Sequence, residues 1–213
     1  MKGNGRLLRR DLIHEKVRGR LTYIVSEDYS YKTEAYYRIL ALEMEGQEVV
    51  PSTRDLLEAY VVPVCLARAE KAGIPVCEWG ISDEQAPIPS ILFGISYFSD
   101  PSEYSIIREI ETAPPVIKYI TGNGRYPFCY QPVPEDAEIV PCVVIFGRTA
   151  DVPEPLARLA AQVYRVFRIP LMEMVSVYNG SYRLSAITPC WYSQLSKEEK
   201  GILEGILTGE CNG

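Results

Sequence analysis

Histidine is nearly absent from this chain: His14 is the only one, and none of the six cysteines forms a Cys-x-x-Cys pair. Zinc sites need thiolates or imidazoles clustered at short spacing, so no metal site is expected. Serine-histidine or cysteine-histidine catalysis would have a single candidate base, stranded in a basic N-terminal arm. Long apolar runs are missing too. No stretch approaches the roughly 18 apolar residues of a membrane-spanning helix, so no membrane partner is expected. The N-terminus lacks the apolar core and cleavage site of a secretory signal. A cytoplasmic chain is expected, with Cys65, Cys77, Cys129, Cys142, Cys190 and Cys211 reduced and mostly buried. Excess positive charge is also lacking. A net charge of −6 argues against a whole-protein nucleic-acid binder.

What is present is globular composition: 47% apolar and 23% charged residues over 213 positions, enough for one ordinary domain. There is no internal repeat and no low-complexity stretch. The charge is uneven. Residues 1–20 carry seven basic side chains against Asp11 and Glu15. The simplest reading of this arm is a solvated leader helix or a frayed tail that keeps an acidic body soluble. Contact with nucleic acid through it is the weaker reading, because seven charges give modest affinity.

The pattern of elements is that of an α/β (α+β) fold. Residues 21–25 (LTYIV) read as a buried strand, followed by a helix from about Tyr31 to Glu45 that Gly46 stops. Glu48–Val50 is a second strand, so strand, helix and strand suggest a parallel βαβ unit. Ser52 and Asp55 form a capping box for a helix whose buried stripe is Leu56, Leu57, Tyr60 and Val61, with a kink or restart at Pro63. Ile74–Trp79 reads as a third strand. Residues 80–135 hold half of the chain's 16 prolines and are expected to run as long ordered loops. Within them, Asp100-Pro101-Ser102-Glu103 predicts a helix start and 116–120 (VIKYI) a strand. Gly122-Asn123-Gly124-Arg125 reads as a turn, since it does not continue into a phosphate-loop sequence. Ile139–Phe146 is a strand, and Asp151 caps an amphipathic helix to about Arg168. Leu171–Tyr178 and Tyr182–Ile187 form a hairpin through Asn179-Gly180. Ser196 and Glu199 cap a last helix, and 209–213 is a loose tail. The sum is one domain over 21–208: a mixed β-sheet with a βαβ unit and a C-terminal hairpin, covered by helices.

Residues 29–37 (YSYKTEAYY), then Glu43, Gly46, Pro51-Ser52 and Asp55-Leu56, resemble the signature of the RimK-like ATP-grasp N-terminal domain family. Phe146-Gly147-Arg148, the helix ending in Phe167, Pro170-Leu171, Pro189 and Leu195 form a second block, so the resemblance spans roughly residues 22–207. Ser26-Glu27-Asp28 departs from the family's pattern, and 80–135 has no counterpart in it. Family proteins commonly continue into a ligase that joins a carboxylate to an amine through an acyl-phosphate, using ATP and magnesium. The expectation here is a stand-alone chain, since about 25 residues after 188 cannot supply a nucleotide cradle and metal ligands. The resemblance implies an accessory or substrate-handling role and carries no chemistry over.

Candidate binding residues follow from position. Tyr29, Tyr31 and Tyr37 lie just beyond a strand end, where open α/β sheets place their crevices. Phenol rings stack on flat ligands and hydrogen-bond at their tips. The helix N-terminus beside Lys32 and Thr33 favours an anion. Tyr36 shares a stripe with Ile39 and Leu40 and reads as core, whereas Tyr37 points about 100° away. Ser52 and Arg54 start a second helix, and Gly147 and Arg148 follow a strand. Convergence of Lys32, Arg54 and Arg148 on one basic pocket would take an anionic small molecule or peptide. No cofactor, metal or acid-base pair is expected. The functional expectation is a non-catalytic binding module partnered by a separately encoded ATP-grasp peptide ligase. A small free-standing enzyme built on Tyr37 and Arg148 is the alternative.

Overall fold

A computed structural model of the chain describes residues 13–31, 33–96 and 99–209. Strand β1 (His14–Arg18) turns at Gly19 and returns as β2 (Leu21–Val25), with His14 opposite Val25. This half of the basic arm is therefore an edge strand, not a leader helix or frayed tail; residues 1–12 lie outside the described residues. Its cations have a local job. Lys16 Nζ donates to the carbonyls of Ile206 and Leu207, and Arg18 reaches Ile206 at 3.4 Å. Those carbonyls close the last helix, where the dipole favours positive charge and the final C=O groups lack partners.

Helix α1 (Glu34–Met44) begins at Thr33, whose hydroxyl accepts from the Tyr36 N–H. It ends at Gly46, whose φ of +77° suits a residue without Cβ. Strand β3 (Glu48–Val50) then pairs parallel to β2, as the βαβ reading requires. Helix α2 (Thr53–Tyr60) carries the predicted Ser52–Asp55 capping box. The chain restarts as α3 (Val62–Lys71) with Pro63 in its first turn. Arg68 fastens these helices to their neighbour. Its guanidinium donates to Asp55 at 2.7 Å, Glu58 at 2.8 Å and the Val166 carbonyl at 2.6 Å, and stacks over Phe167.

The expected strand at Ile74–Trp79 does not form. The segment touches its neighbour only at an isolated bridge, Val76 beside Leu184, because Pro75 has no N–H to continue a ladder. Residues 80–135 are not loops. They build a four-stranded antiparallel sheet in the order β4 (Gly80–Ser82), β7 (Phe128–Pro132), β5 (Ser90–Gly94), β6 (Ser105–Ile107). The helix expected from Asp100 is absent: the Asp100 carboxylate accepts from the Ser102 N–H and hydroxyl in a turn, and the chain enters β6. Burial of Ile107 with Leu92, Ile120 and Phe128 outweighs the local start signal. The expected strand at 116–120 is instead helix α4 (Ala113–Ile120), whose Pro114 and Pro115 sit in the first turn where missing N–H groups cost nothing.

The third sheet is β10 (Tyr182–Thr188), β9 (Leu171–Tyr178), β8 (Glu138–Ile145), all antiparallel, with Asn179-Gly180 turning the predicted hairpin. Helix α5 (Glu154–Phe167) buries the expected stripe of Leu156, Leu159, Ala160, Val163 and Phe167. Asp151 does not cap it. That residue sits in the preceding loop at φ +44°, and Pro153 takes the cap position, its carbonyl accepting from the Leu156 N–H. Helix α6 (Lys197–Thr208) has the Ser196–Glu199 capping box. Helices α2, α3 and α5 pack on β10, and α6 lies against β8. A reciprocal pair joins the second and third sheets. Gln131 donates to the Ser185 carbonyl at 2.9 Å, and the Ser185 hydroxyl returns a bond to Gln131 at 2.7 Å. The result is a mixed α/β single domain with three sheets and six α-helices among the described residues. None of those helices is long and apolar enough to cross a membrane.

Candidate functional site

The carboxyl end of β2 leads into a loop held by its own polar groups. Ser26 Oγ donates to the Asp28 carbonyl at 2.9 Å, and the Asp28 carboxylate accepts from the Ser30 N–H at 2.7 Å. The Ser30 carbonyl accepts from the Thr33 hydroxyl at 2.8 Å, which sets Thr33 to cap α1. Against this loop stand the end of α2 and, from the second sheet, the connection between β5 and β6. Together they enclose a cleft of about 660 Å³. Tyr29, Leu56, Tyr60 and the buried Pro101 form its inner wall; Tyr31, Leu57 and Val61 stand at its mouth. Asp28, Ser30, Thr33, Ser96, Ser99 and Asp100 supply the polar lining.

Of the residues singled out from sequence, the cleft gathers Tyr29, Tyr31 and Thr33. Tyr29 is wholly buried, its hydroxyl accepting from the Ser26 N–H at 2.9 Å and donating to the Ile24 carbonyl at 3.1 Å. Burial pushes its phenol far above the usual range. It shapes the wall and has no hydrogen-bonding capacity left over. Tyr31 is 45% exposed and packs edge-on to the buried Tyr36 ring, 5.2 Å away.

The other candidates do not join the cleft. Tyr37 is half exposed on α1 and is not part of the lining. Ser52 is occupied with the α2 cap. Arg54 lies outside on the α2 surface, paired with Glu58 at 2.7 Å. Gly147 is structural: its φ is +79°, and an added Cβ would stand 2.8 Å from the Tyr164 ring. Arg148 is exposed in the turn after β8, its backbone bonded to Ile145. Lys32 lies outside the described residues. The expected basic pocket of Lys32, Arg54 and Arg148 is therefore not formed by the described residues, because Arg54 turns outward to Glu58. The charged groups they do bring to the cleft are Asp28 and Asp100.

Sequence reasoning missed two walls. Leu57 and Val61 belong to the expected buried stripe of α2, yet they are 45% and 40% exposed because that stripe ends at the cleft mouth. The β5–β6 connection carries the Asp100-Pro101-Ser102-Glu103 signal that predicts a helix start. Gly94 lets it fold inward: a Cβ there would stand 2.5 Å from the Ser99 hydroxyl. The clearest missed residue is Tyr60. Its hydroxyl is buried and makes no hydrogen bond, alone in this among the side-chain polar atoms of the described residues. Burial raises its phenol well above the ordinary value, with Tyr29, Asp28 and Asp100 adding to the effect; the Tyr29 N–H offsets part of it without reaching hydrogen-bond geometry.

Among the described residues no three histidine, cysteine, aspartate or glutamate side chains come together to hold a metal ion. The five cysteines among the described residues are all buried, and Cys211 lies outside the described residues. Burial pushes Cys77, Cys129, Cys142 and Cys190 up to about 12 and Cys65 higher still.

No family model matches the chain, and no curated protein matches its sequence. Solved structures do resemble it. The RimK domain protein ATP-grasp from Sphaerobacter thermophilus DSM 20745 is 16% identical, with a TM-score of 0.62 over 85% of this chain and 78% of that one. The ATP-grasp ligase PsnB, complexed with a phosphomimetic variant of minimal precursor, Mg and ADP, is 14% identical, with a TM-score of 0.55 over 82% of this chain and 65% of that one. D-Alanine-D-Alanine Ligase from Helicobacter pylori is 12% identical, with a TM-score of 0.58 over 80% of this chain and 65% of that one. The fold is thus of the kind seen in ATP-grasp proteins. The chain spans about two thirds of the length of the two named ligases.

Proposed function

We propose that this protein is a substrate-binding module of ATP-grasp-like fold that works with a separately encoded ATP-grasp carboxylate-amine ligase. The observation that carries the reading is the aromatic-walled cleft at the β2 end. A cleft of about 660 Å³ with phenol walls and hydroxyl lining has the size of a small-ligand site. The bound molecule is a small molecule or a short peptide segment, held for a partner that performs the acyl-phosphate chemistry.

The test is reconstitution. Purified full-length chain with Mg-ATP and amino-acid or peptide mixtures forms no ADP, whereas adding it to the ATP-grasp ligase encoded beside it lowers that ligase's KM. A ligase equally active without this chain overturns the reading. A free-standing enzyme remains as a second reading for one reason: the RimK-domain neighbour is matched over 78% of its length. Turnover by the purified chain alone would establish it.

A further inference from the structure

Asparagine occurs only at Asn4, Asn123, Asn179 and Asn212, and glycine follows it every time. Glycine has no side chain to hinder its own nitrogen, so an Asn-Gly pair leaves that nitrogen free to turn on the preceding side-chain amide. Asn4 and Asn212 lie outside the described residues. Asn123 and Asn179 are both exposed and both sit in turns, yet the nitrogens that follow them differ. The Gly124 N–H donates to the hydroxyl of the buried Thr121 at 2.9 Å. Asn123 is itself fixed in the left-handed region at φ +63°, its N–H donating to the Lys118 carbonyl at 2.8 Å. At the tip of the β9–β10 hairpin the Asn179 N–H donates to the Ser181 carbonyl at 3.3 Å, but the Gly180 N–H makes no hydrogen bond among the described residues. A Cβ placed on Gly180 would meet nothing within 4 Å, so the space around it is open.

We infer that Asn179 is a site of self-modification, at which the unbonded Gly180 nitrogen converts the side-chain amide to a carboxylate while Asn123 is held back. The Gly180 nitrogen attacks Asn179 Cγ. The new N–C bond closes a succinimide ring as the bond from Cγ to the amide nitrogen breaks, and the Gly180 proton leaves with that nitrogen as ammonia. Water then adds to one of the two ring carbonyls and reopens the ring to aspartate or isoaspartate. Nothing is oxidised or reduced, and water is the one co-reactant. At Asn123 the same attack requires Gly124 to give up its bond to Thr121 first. The product puts a negative charge on residue 179, which lines a cavity of about 440 Å³ together with Glu78 and Arg183. Where isoaspartate forms, the backbone of the turn lengthens by a carbon, and the turn is what fixes hairpin register. Neither step involves the cleft at the β2 end.

The experiment is incubation of the full chain in mildly alkaline buffer, native and in urea, followed by mass spectrometry of tryptic peptides. Cleavage after Arg168 and Arg183 releases residues 169–183 with Asn179 as the sole asparagine, and cleavage after Lys118 and Arg125 releases residues 119–125 with Asn123. In the native protein the Asn179 peptide should gain about one dalton roughly tenfold faster than the Asn123 peptide, the factor that breaking one ordinary hydrogen bond imposes. In urea, where neither nitrogen is held, the two rates should converge. Part of the product at residue 179 should be isoaspartate, read by isoaspartate methyltransferase labelling, because direct hydrolysis without the ring gives aspartate alone. Thr121→Val removes the acceptor for Gly124 and should speed conversion at Asn123 while leaving Asn179 unchanged. An Asn179 that converts no faster than Asn123 in the native protein, or that stays intact while the unfolded chain converts, would overturn the inference. Conversion at residue 179 without isoaspartate would overturn the ring step, and an unchanged Asn123 in folded Thr121→Val the protection assigned to Thr121.

Discussion

Removing one oxygen atom from either of two neighbouring tyrosines should move stability in opposite directions. The Tyr60 hydroxyl is buried with no hydrogen bond, so the native state forfeits the hydration that the unfolded chain recovers. Leaving such a group unsatisfied costs about 1–3 kcal/mol, and Tyr60→Phe keeps the ring while removing that cost. For a chain of this size each kcal/mol moves the melting temperature by about 2–4 °C. Tyr60→Phe should therefore melt about 2–12 °C higher than the parent protein. The Tyr29 hydroxyl is equally buried but bonded at both ends, to the Ser26 N–H at 2.9 Å and the Ile24 carbonyl at 3.1 Å. Tyr29→Phe strands both backbone groups and should cost about 1–3 kcal/mol, a lower melting temperature by a similar interval. Circular-dichroism melts and urea titrations of the ligand-free variants, run side by side, read the difference. If Tyr60→Phe were destabilised as Tyr29→Phe is, the hydroxyl would have a native partner, and its place in the cleft would lose its significance.

Three further outcomes follow from named contacts. Arg68→Ala should lose about 2–4 kcal/mol in urea titration, because it leaves Asp55, Glu58 and the Val166 carbonyl without their shared donor and uncovers Phe167. Gly147→Ala should lose about 1–3 kcal/mol, since its φ of +79° disfavours a Cβ and the Tyr164 ring stands 2.8 Å from where one would lie. Glu173 on β9 is held above the usual carboxylate value by burial, an effect the Thr188 hydroxyl offsets and nearby Glu199 reinforces. The folded protein then binds this proton more tightly than the unfolded chain does. Its contribution to stability is fully present below the ordinary carboxylate range of about 4–5 and declines as pH rises through it towards the raised folded value. Glu173→Gln should remove that decline, so the variant gains on the parent in melting temperature at neutral pH and little at acid pH.

Much of the fold was legible because its signals are local. The Ser52–Asp55 and Ser196–Glu199 boxes satisfy helix ends within four residues, and Asn179-Gly180 turns its hairpin by backbone preference alone. The tyrosine run of residues 29–37 was likewise placed correctly at a strand end beside the α1 cap. The family-like residues around it turn out to be fasteners. Glu43 accepts from the Thr53 N–H at 2.9 Å and from the Thr53 hydroxyl, which joins the end of α1 to the start of α2. The candidate site was only half legible. Tyr29, Tyr31 and Thr33 were found from position along the chain, whereas Tyr60 looked like any apolar-stripe residue and Asp100 like a helix cap.

The chain's own residue order thus settled the helices α1, α2, α5 and α6, the stop of α1 at Gly46 and which face of α5 is apolar, because those choices depend on neighbours a few positions away. Tertiary structure alone decided the pairing of four short strands in 80–135, the inward fold of the β5–β6 connection over Gly94, and the presence of Asp28 and Asp100 among the described residues that line the cleft. Each joins groups far apart in sequence, and burial is shared among them: Ile107 gains more as a strand residue against Leu92 and Phe128 than a helix begun at Asp100 would gain from its cap.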